Sequence, residues 1–167
     1  MQIIRNRRIS RSHWRHVPEG ALAGNNGGEL PGGAIIVALA DWRVRKTELL
    51  GRDAPIGVRL GAGDALAEIC AELDSIALVA LEFSSVTEGR GYSQARLLRE
   101  QHGYRGEIRA IGDVSRDRLA FMERCGFNAY ELREDGDLQG ALAAFAEISQ
   151  VYQPGPDARE PIASLRG

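Results

Sequence analysis

The chain has 167 residues, of which 44% are apolar and 26% charged, which is ordinary for one globular domain with its own core. Its formal net charge of -2 gives no electrostatic reason to expect binding to nucleic acid or to an anionic membrane. The sequence shows neither a signal-peptide pattern nor an apolar run near the roughly 20 residues that span a bilayer, which predicts a cytoplasmic protein.

Cysteines and histidines give no evidence for a metal site. The spacing of Cys70 and Cys125, and their predicted helical settings, fit neither a disulfide framework nor a set of metal ligands. We expect two buried thiols in a reducing compartment. Because His13, His16 and His102 are scattered, we predict surface or structural roles for them. No metal is predicted, and the sequence leaves the cofactor unassigned.

Residues 2–10 are predicted to form a short strand or hairpin with Asn6 at the turn. This is the most basic part of the chain, and its arginines are Arg5, Arg7, Arg8, Arg11 and Arg15. They either protect an exposed strand edge or form a docking surface for an acidic partner.

Glycine- and proline-rich sequence over residues 18–33 predicts a loop. We therefore divide the chain into an N-terminal arm (1–33), an α/β domain (34–153) and a C-terminal tail (154–167).

From residue 34 onward, short apolar runs typical of covered strands alternate with helical patterns. The predicted strands are 34–39, 56–60, 76–83, 107–111 and 127–132. The predicted helices are 41–50, 65–73 with Asp64 as N-cap, about 93–102, one that starts near Ser115, and a last one opened by Asp135 or Asp137. The alternation predicts a single, mostly parallel sheet of about five strands, either open or partly barrel-like.

Two glycine-bearing turns, at residues 87–93 and 112–118, each follow a predicted strand and precede a predicted helix. Ligands of parallel α/β sheets bind at the carboxyl ends of the strands, where free N–H groups and arginines attract anions. If the two strands are neighbours, the turns face one crevice suited to a sulfate, phosphate or carboxylate. The predicted anion-binding residues are Gly89, Arg90, Gly91, Tyr92, Ser93, Arg96, Gly112, Asp113, Ser115 and Arg116.

Purely structural roles explain these turns equally well. A turn that needs positive φ also selects glycine, and neighbouring carboxylates would hold Arg90 and Arg116 in salt bridges. Neither turn carries a dinucleotide-binding or Walker signature. Asp113 and Glu88 are candidate acid–base groups, although carboxylates paired with arginine usually have a lowered pKa and make poor acids. No catalytic residue is assigned, so the sequence does not establish whether the protein is an enzyme.

Three long motifs, residues 87–99, 103–114 and 117–130, resemble a bacterial family, domain-of-unknown-function family number 934. Residues 2–4 and 151–153 extend the resemblance over nearly the whole chain. Members of this family are often labelled probable oxidoreductases of sulfite reduction. The resemblance therefore implies a place in sulfur assimilation. We carry over the pathway but no redox chemistry, since the sequence shows no redox cofactor motif.

The chain departs from the family pattern in two places. The usual aromatic–proline pair and Asp-Gly-Arg-Gly are replaced by Phe-Ser-Ser-Val-Thr at residues 83–87 and by Glu88, and the loop at 24–33 is longer than usual. Both changes leave Arg90 and Arg96 in place.

Two functional hypotheses follow. The first is an accessory protein of assimilatory sulfite reduction that binds sulfite reductase or its electron donor through the arm and the arginine turns. The second is a small enzyme or sensor that binds sulfite, sulfate or a phosphate group between residues 87–93 and 112–118. A third reading is a structural subunit whose arginine turns only hold the fold. The sequence also permits a homodimer through an uncovered sheet edge or the arm.

Overall fold

The computed structural model describes residues 1–22, 29–84, 89–133 and 136–151, and describes side chains up to residue 145. Several sequence predictions lie outside these residues: the middle of the glycine-rich loop (23–28), Glu88 with the start of its turn, Asp135 and the C-terminal tail. The described residues form one α/β domain built on a single eight-stranded sheet. None of their helices is long and apolar enough to cross a lipid bilayer.

Eight strands and four α-helices make up the described fold. The strands are β1 (Gln2–Arg5), β2 (Arg8–Arg11), β3 (Arg15–His16), β4 (Ile35–Ala38), β5 (Ile56–Leu60), β6 (Leu78–Phe83), β7 (Glu107–Gly112) and β8 (Ala129–Tyr130). The helices are α1 (Leu39–Leu50), α2 (Arg90–Glu100), α3 (Leu119–Cys125) and α4 (Leu138–Val151), with 3-10 helices at Leu66–Glu68, Cys70–Ser75 and Arg116–Arg118. The strand order is β2-β1-β8-β7-β6-β5-β4-β3.

The predicted alternation of strands and helices is confirmed, and the five predicted strands are β4 to β8. The predicted number of about five strands was too low, because the N-terminal residues add three more. β1 pairs antiparallel with β2 and β8, while β3 pairs parallel with β4. The predicted hairpin is also confirmed, since Asn6 and Arg7 adopt the positive φ values of 52° and 64° that a tight turn requires.

The predicted helix over residues 65–73 was wrong, because two 3-10 helices occupy this stretch. Asp64 does not cap either of them; its carboxylate accepts a hydrogen bond from the backbone N–H of Gly61 at 2.8 Å. Leu66, Ile69 and Leu73 are buried as expected. Apolar residues spaced by three or four positions fit both helix types, so their spacing could not distinguish them.

The connection between β2 and β3 shows that the sheet is curled. These strands lie at opposite edges, yet only residues 12–14 join them. Such a segment spans at most about 15 Å, whereas the edges of a flat eight-stranded sheet lie about 34 Å apart. The sheet therefore curls into a half-barrel, which confirms the partly barrel-like alternative.

The curled sheet has two different faces. Its outer face packs against the helices and carries most of the hydrophobic core, including Val58, Leu81 and Ile108. Its inner face carries a second apolar cluster of Ile36, Leu78, Ala80 and Ile111, against which Trp14 packs. Trp14 belongs to the segment that joins the two sheet edges, so that segment lies against the inner face.

Candidate functional site

The strands that precede the two glycine-bearing turns, β6 and β7, end side by side. Phe83, the last residue of β6, pairs with Gly112, the last residue of β7. The N–H of Asp113 donates to the carbonyl of Phe83 at 2.8 Å, which fixes the start of the second turn against the first strand. The two strands are therefore neighbours, as the crevice hypothesis requires.

Two of the predicted glycines have packing requirements. A Cβ on Gly91 would lie 2.7 Å from the Phe83 ring, because α2 packs directly on that ring. Gly112 has a φ of 86°, and a Cβ there would overlap the carbonyl oxygen of Phe83. Gly89 is different, since a Cβ there would meet no atom of the described residues within 4 Å. Packing on Phe83 thus explains why residues 91 and 112 are glycines, but it does not explain the glycine at position 89.

The arginines of the two turns extend toward different neighbours. Nη2 of Arg90 donates to the carbonyl of Asp64 at 2.9 Å, on the side of β5. Nη1 of Arg116 lies 3.5 Å from the position that a Cβ on Gly140 would take, at the start of α4. A ligand shared by both guanidinium groups stays a prediction. Such a ligand would have to contact Arg90 on the side of β5 and Arg116 on the side of α4.

The remaining predicted site residues have identifiable surroundings. Tyr92 packs between Phe83 and Phe121, with ring centroids 5.1 and 4.9 Å away. Arg133 donates to Asp113 at 3.1 Å. The hydroxyl of Ser93 faces the carbonyl of Gly89 at 3.4 Å, the hydroxyl of Ser115 donates to Asp117 at 2.7 Å, and Arg96 is exposed on α2.

A charged cluster that the sequence reasoning missed lies on the inner face of the sheet. One row across five strands alternates alanine with arginine: Ala38, Arg59, Ala80, Arg109 and Ala129. Because an alanine side chain ends at Cβ, each alanine leaves space beside the long stem of its neighbour. The row thereby accommodates two guanidinium groups on the inner face of the curved sheet.

Arg109 is the buried centre of this cluster, with only 1% of its surface exposed. Its Nη1 donates to Glu131 at 2.8 Å and to the hydroxyl of Ser12 at 3.1 Å, and its Nε donates to Glu107 at 2.8 Å. Nη2 also lies 2.8 Å from that Glu107 oxygen, but the angle is too poor for a hydrogen bond. The arginine therefore joins β7, the end of β8 and the segment between the sheet edges.

His16 connects the two sides of the cluster. Its Nε2 lies 2.8 Å from Oε2 of Glu131, and Nη1 of Arg59 lies 3.4 Å from its Nδ1. Since arginine can only donate, Nδ1 must be the acceptor, and Nε2 then carries the proton that is donated to Glu131. Burial alone would raise the pKa of Glu131, but its interactions with His16 and Arg109 outweigh burial and lower that pKa.

The cluster sits where ligand sites of parallel sheets are found. His16 is the last residue of β3, Arg59 is the next-to-last of β5, and Glu131 directly follows β8. One sequence signal pointed to it: Arg59 and Arg109 each stand between two apolar residues of a predicted strand. A charged side chain in a strand covered on both faces needs a buried partner. This requirement could have identified both arginines as members of a polar cluster.

The family model described as "Bacterial protein of unknown function (DUF934)" matches residues 57–163. The chain belongs to this DUF934 family. The resemblance drawn from the sequence motifs is therefore confirmed. A search of curated proteins found no match.

The DUF934 match covers both turns and also Arg59, Arg109 and Glu131. His16 and Ser12 lie before its first residue. Family membership thus includes the sheet positions that carry the inner-face charges, while the segment that joins the sheet edges lies outside the matched range.

Proposed function

We propose that this DUF934 protein is an accessory protein of assimilatory sulfite reduction that binds sulfite reductase or its electron donor. The pathway rests on the resemblance described above. The binding role rests on one surface, here called the arginine face, which consists of Tyr92, Arg96, Arg118, Phe121 and Arg124. It lies on α2, α3 and the 3-10 helix before α3.

Phe121 is the observation that supports this surface. Although its ring packs edge-on against Tyr92, 46% of the residue remains exposed. Arg96 lies one helical turn after Tyr92, while Arg118 and Arg124 lie three positions either side of Phe121, so all three are on the same side. An exposed aromatic residue within a rim of arginines has the composition of a protein interface.

The charge of the arginine face favours an acidic partner. Arg7 of the N-terminal hairpin has a different role, since it forms two hydrogen bonds with Glu123, at 2.9 and 2.7 Å, and lies over the Phe145 ring. That arginine holds the hairpin against α3 and α4. We therefore place partner binding on the arginine face, next to the docked hairpin.

The proposal is tested by measuring binding to purified sulfite reductase and to its electron donor, at low and high salt. Phe121→Ala should weaken binding about tenfold or more, because interface aromatics often contribute ~2 kcal/mol. Arg96→Glu should weaken it at low salt and reduce its salt dependence. Val44→Ala is the control, since this residue of α1 is 61% exposed and lies outside the arginine face.

Association with neither protein at either salt concentration would contradict the proposal. Equal loss of binding in the Val44 and Phe121 variants would also contradict it, because the arginine face would then have no special role.

A second candidate function is binding of a small oxyanion between the two turns, as an enzyme or a sensor. The Phe83–Gly112 pairing supports it, because the pairing sets both turns at one edge of the sheet. Thermal denaturation with sulfite, sulfate, phosphate, adenylyl sulfate and flavins tests it, since a ligand of the native state raises the Tm. Any stabilisation should be lost in Arg90→Ala and kept in Arg43→Ala, which removes an arginine from α1.

A further inference from the structure

The pair of Arg59 and His16 has a chemistry that neither candidate function uses. Nη2 of Arg59 donates to the carbonyl of Val17 at 3.1 Å, and Nη1 contacts Nδ1 of His16 at 3.4 Å. Among the described residues, neither acceptor of this guanidinium is a carboxylate. Its neighbour Arg109, by contrast, lies between two carboxylates, those of Glu107 and Glu131. Arg59 therefore keeps an unneutralised positive charge on the inner face.

The Arg59–His16 contact is poorly suited to satisfy that charge. A distance of 3.4 Å is long for a hydrogen bond, and a ring nitrogen is a neutral acceptor. An oxyanion would accept a shorter and stronger charge-assisted bond. Both side chains are accessible, because Arg59 is half-buried and 32% of the His16 side chain is exposed.

The position of both groups is fixed before a ligand arrives. The N–H of Val17 donates to the carbonyl of Ile36 at 2.9 Å, which holds the carbonyl that orients Arg59. Glu131 orients the His16 ring from the other side. Binding would thus require little reorganisation of Arg59 and His16.

We infer that Arg59 and His16 bind a small oxyanion on the inner face of the sheet, in a site separate from the turns and the arginine face. One ligand oxygen accepts from Arg59 and another from Nδ1 of His16, which replaces their mutual contact. Nε2 already holds the proton shared with Glu131, so Nδ1 must gain a proton from solvent. Binding of the anion is therefore coupled to proton uptake.

The charges around His16 determine whether its ring can take up this proton. Glu131, after β8, lies against Nε2 and stabilises an imidazolium, while Arg59 from β5 opposes it until the anion is bound. Arg109 from β7 bonds to the same Glu131 oxygen, and Glu82 from β6 lies on the same inner face. The anion neutralises Arg59, which removes the repulsion between Arg59 and a protonated His16.

Isothermal titration of the full-length protein with sodium sulfate tests the inference, with sulfite and phosphate as further probes. Titration near neutral pH in two buffers of different ionisation enthalpy measures proton exchange, and net proton uptake on sulfate binding is expected. Arg59→Gln should lower the affinity about tenfold or more. His16→Gln retains an N–H donor toward Glu131 but removes Nδ1, so the uptake should disappear. Arg43→Gln, which removes the same charge from α1, should bind like the wild type.

Two further variants keep the inference falsifiable. Arg59→Lys retains the charge at this position, and it should bind with intermediate affinity if Arg59→Gln proves unfolded in thermal denaturation. Arg90→Gln reports on the turns and should leave sulfate affinity unchanged. The inference is overturned if no probe binds the wild type, if binding takes up no proton, or if only the Arg90 variant loses affinity.

Discussion

Nε2 of His16 lies 2.8 Å from Oε2 of Glu131, although the two residues are 115 positions apart in the chain. His16 ends the edge strand β3, and Glu131 follows β8 on the other side of the sheet. This bond therefore crosses the inner face of the half-barrel and joins its two sides. Ser12, which accepts from Arg109, provides a second link at the segment between the sheet edges.

Replacing Arg109 should be the most destabilising single change on the inner face. Arg109→Met removes the buried cation between Glu131, which is buried, and Glu107, which is half-buried, and breaking a buried ion pair typically costs about 3–5 kcal/mol. Urea denaturation measures the change in unfolding free energy. Arg43→Met, which breaks an exposed ion pair with Glu68, should change it by less than about 1 kcal/mol. Similar losses in both variants would show that the inner cluster is not a structural unit.

Glu131 should make the folded protein sensitive to acid. Its pKa is lowered in the folded state by His16 and Arg109, whose combined effect exceeds that of burial. The ionised carboxylate therefore stabilises the fold above the unfolded pKa of about 4.3, and this stability is lost as the pH falls through the lower folded value.

Urea denaturation between neutral pH and acid pH checks this dependence. The unfolding free energy of the wild type should fall with pH, and Glu131→Gln should show a shallower fall from a lower starting value. Asp53→Asn, which changes an exposed carboxylate, serves as the control and should retain the wild-type slope. A Glu131→Gln slope equal to that of the wild type would refute the assignment.

Alanine at the first two glycines of the predicted anion site should have unequal effects. Gly91→Ala places a Cβ 2.7 Å from the Phe83 ring and should destabilise the protein by about 1–3 kcal/mol. The Cβ of Gly89→Ala meets no atom within 4 Å in the part of the chain that the structure describes. This change should cost less than about 1 kcal/mol, as expected for Gly-to-Ala at a helix N-cap. Thermal and urea denaturation measure both. Equal destabilisation would mean that packing on Phe83 does not explain Gly91.

The two thiols should react at different rates in the native protein. Cys125 is buried, as predicted, whereas Cys70 is half-buried and its Sγ lies 3.3 Å from the carbonyl of Leu66. Burial raises the pKa of the Cys70 thiol, which reduces the reactive thiolate at a given pH. Alkylation followed by peptide mapping should label Cys70 slowly and Cys125 only after unfolding. Faster labelling of Cys125 than of Cys70 would contradict the packing of α3.

The strands that precede the two turns could be predicted from the sequence, whereas their adjacency and the partners of individual arginines could not. The apolar runs at 76–83 and 107–111 correctly predicted β6 and β7, and the parallel sheet placed both carboxyl ends at one edge. A nearby carboxylate was one of two predicted partners of Arg90, the other being a ligand. In the structure, Arg90 donates to the backbone carbonyl of Asp64 in the connection between β5 and β6. The partner of an arginine depends on how the neighbouring connection between two strands folds. The spacing of residues in the sequence does not predict that fold.

The sequence by itself determined the order of strands and helices in the parallel part of the sheet, because hydrophobic periodicity and glycine-bearing turns are local properties. Only the tertiary structure decided that residues 12–14 bridge the two sheet edges and curl the sheet. That bridge brings His16 to Glu131 and places Arg59 beside His16, which no local pattern could reveal. The charged inner face arises from contacts between segments far apart in the chain, and such contacts are fixed by packing and by the need to pair buried charges.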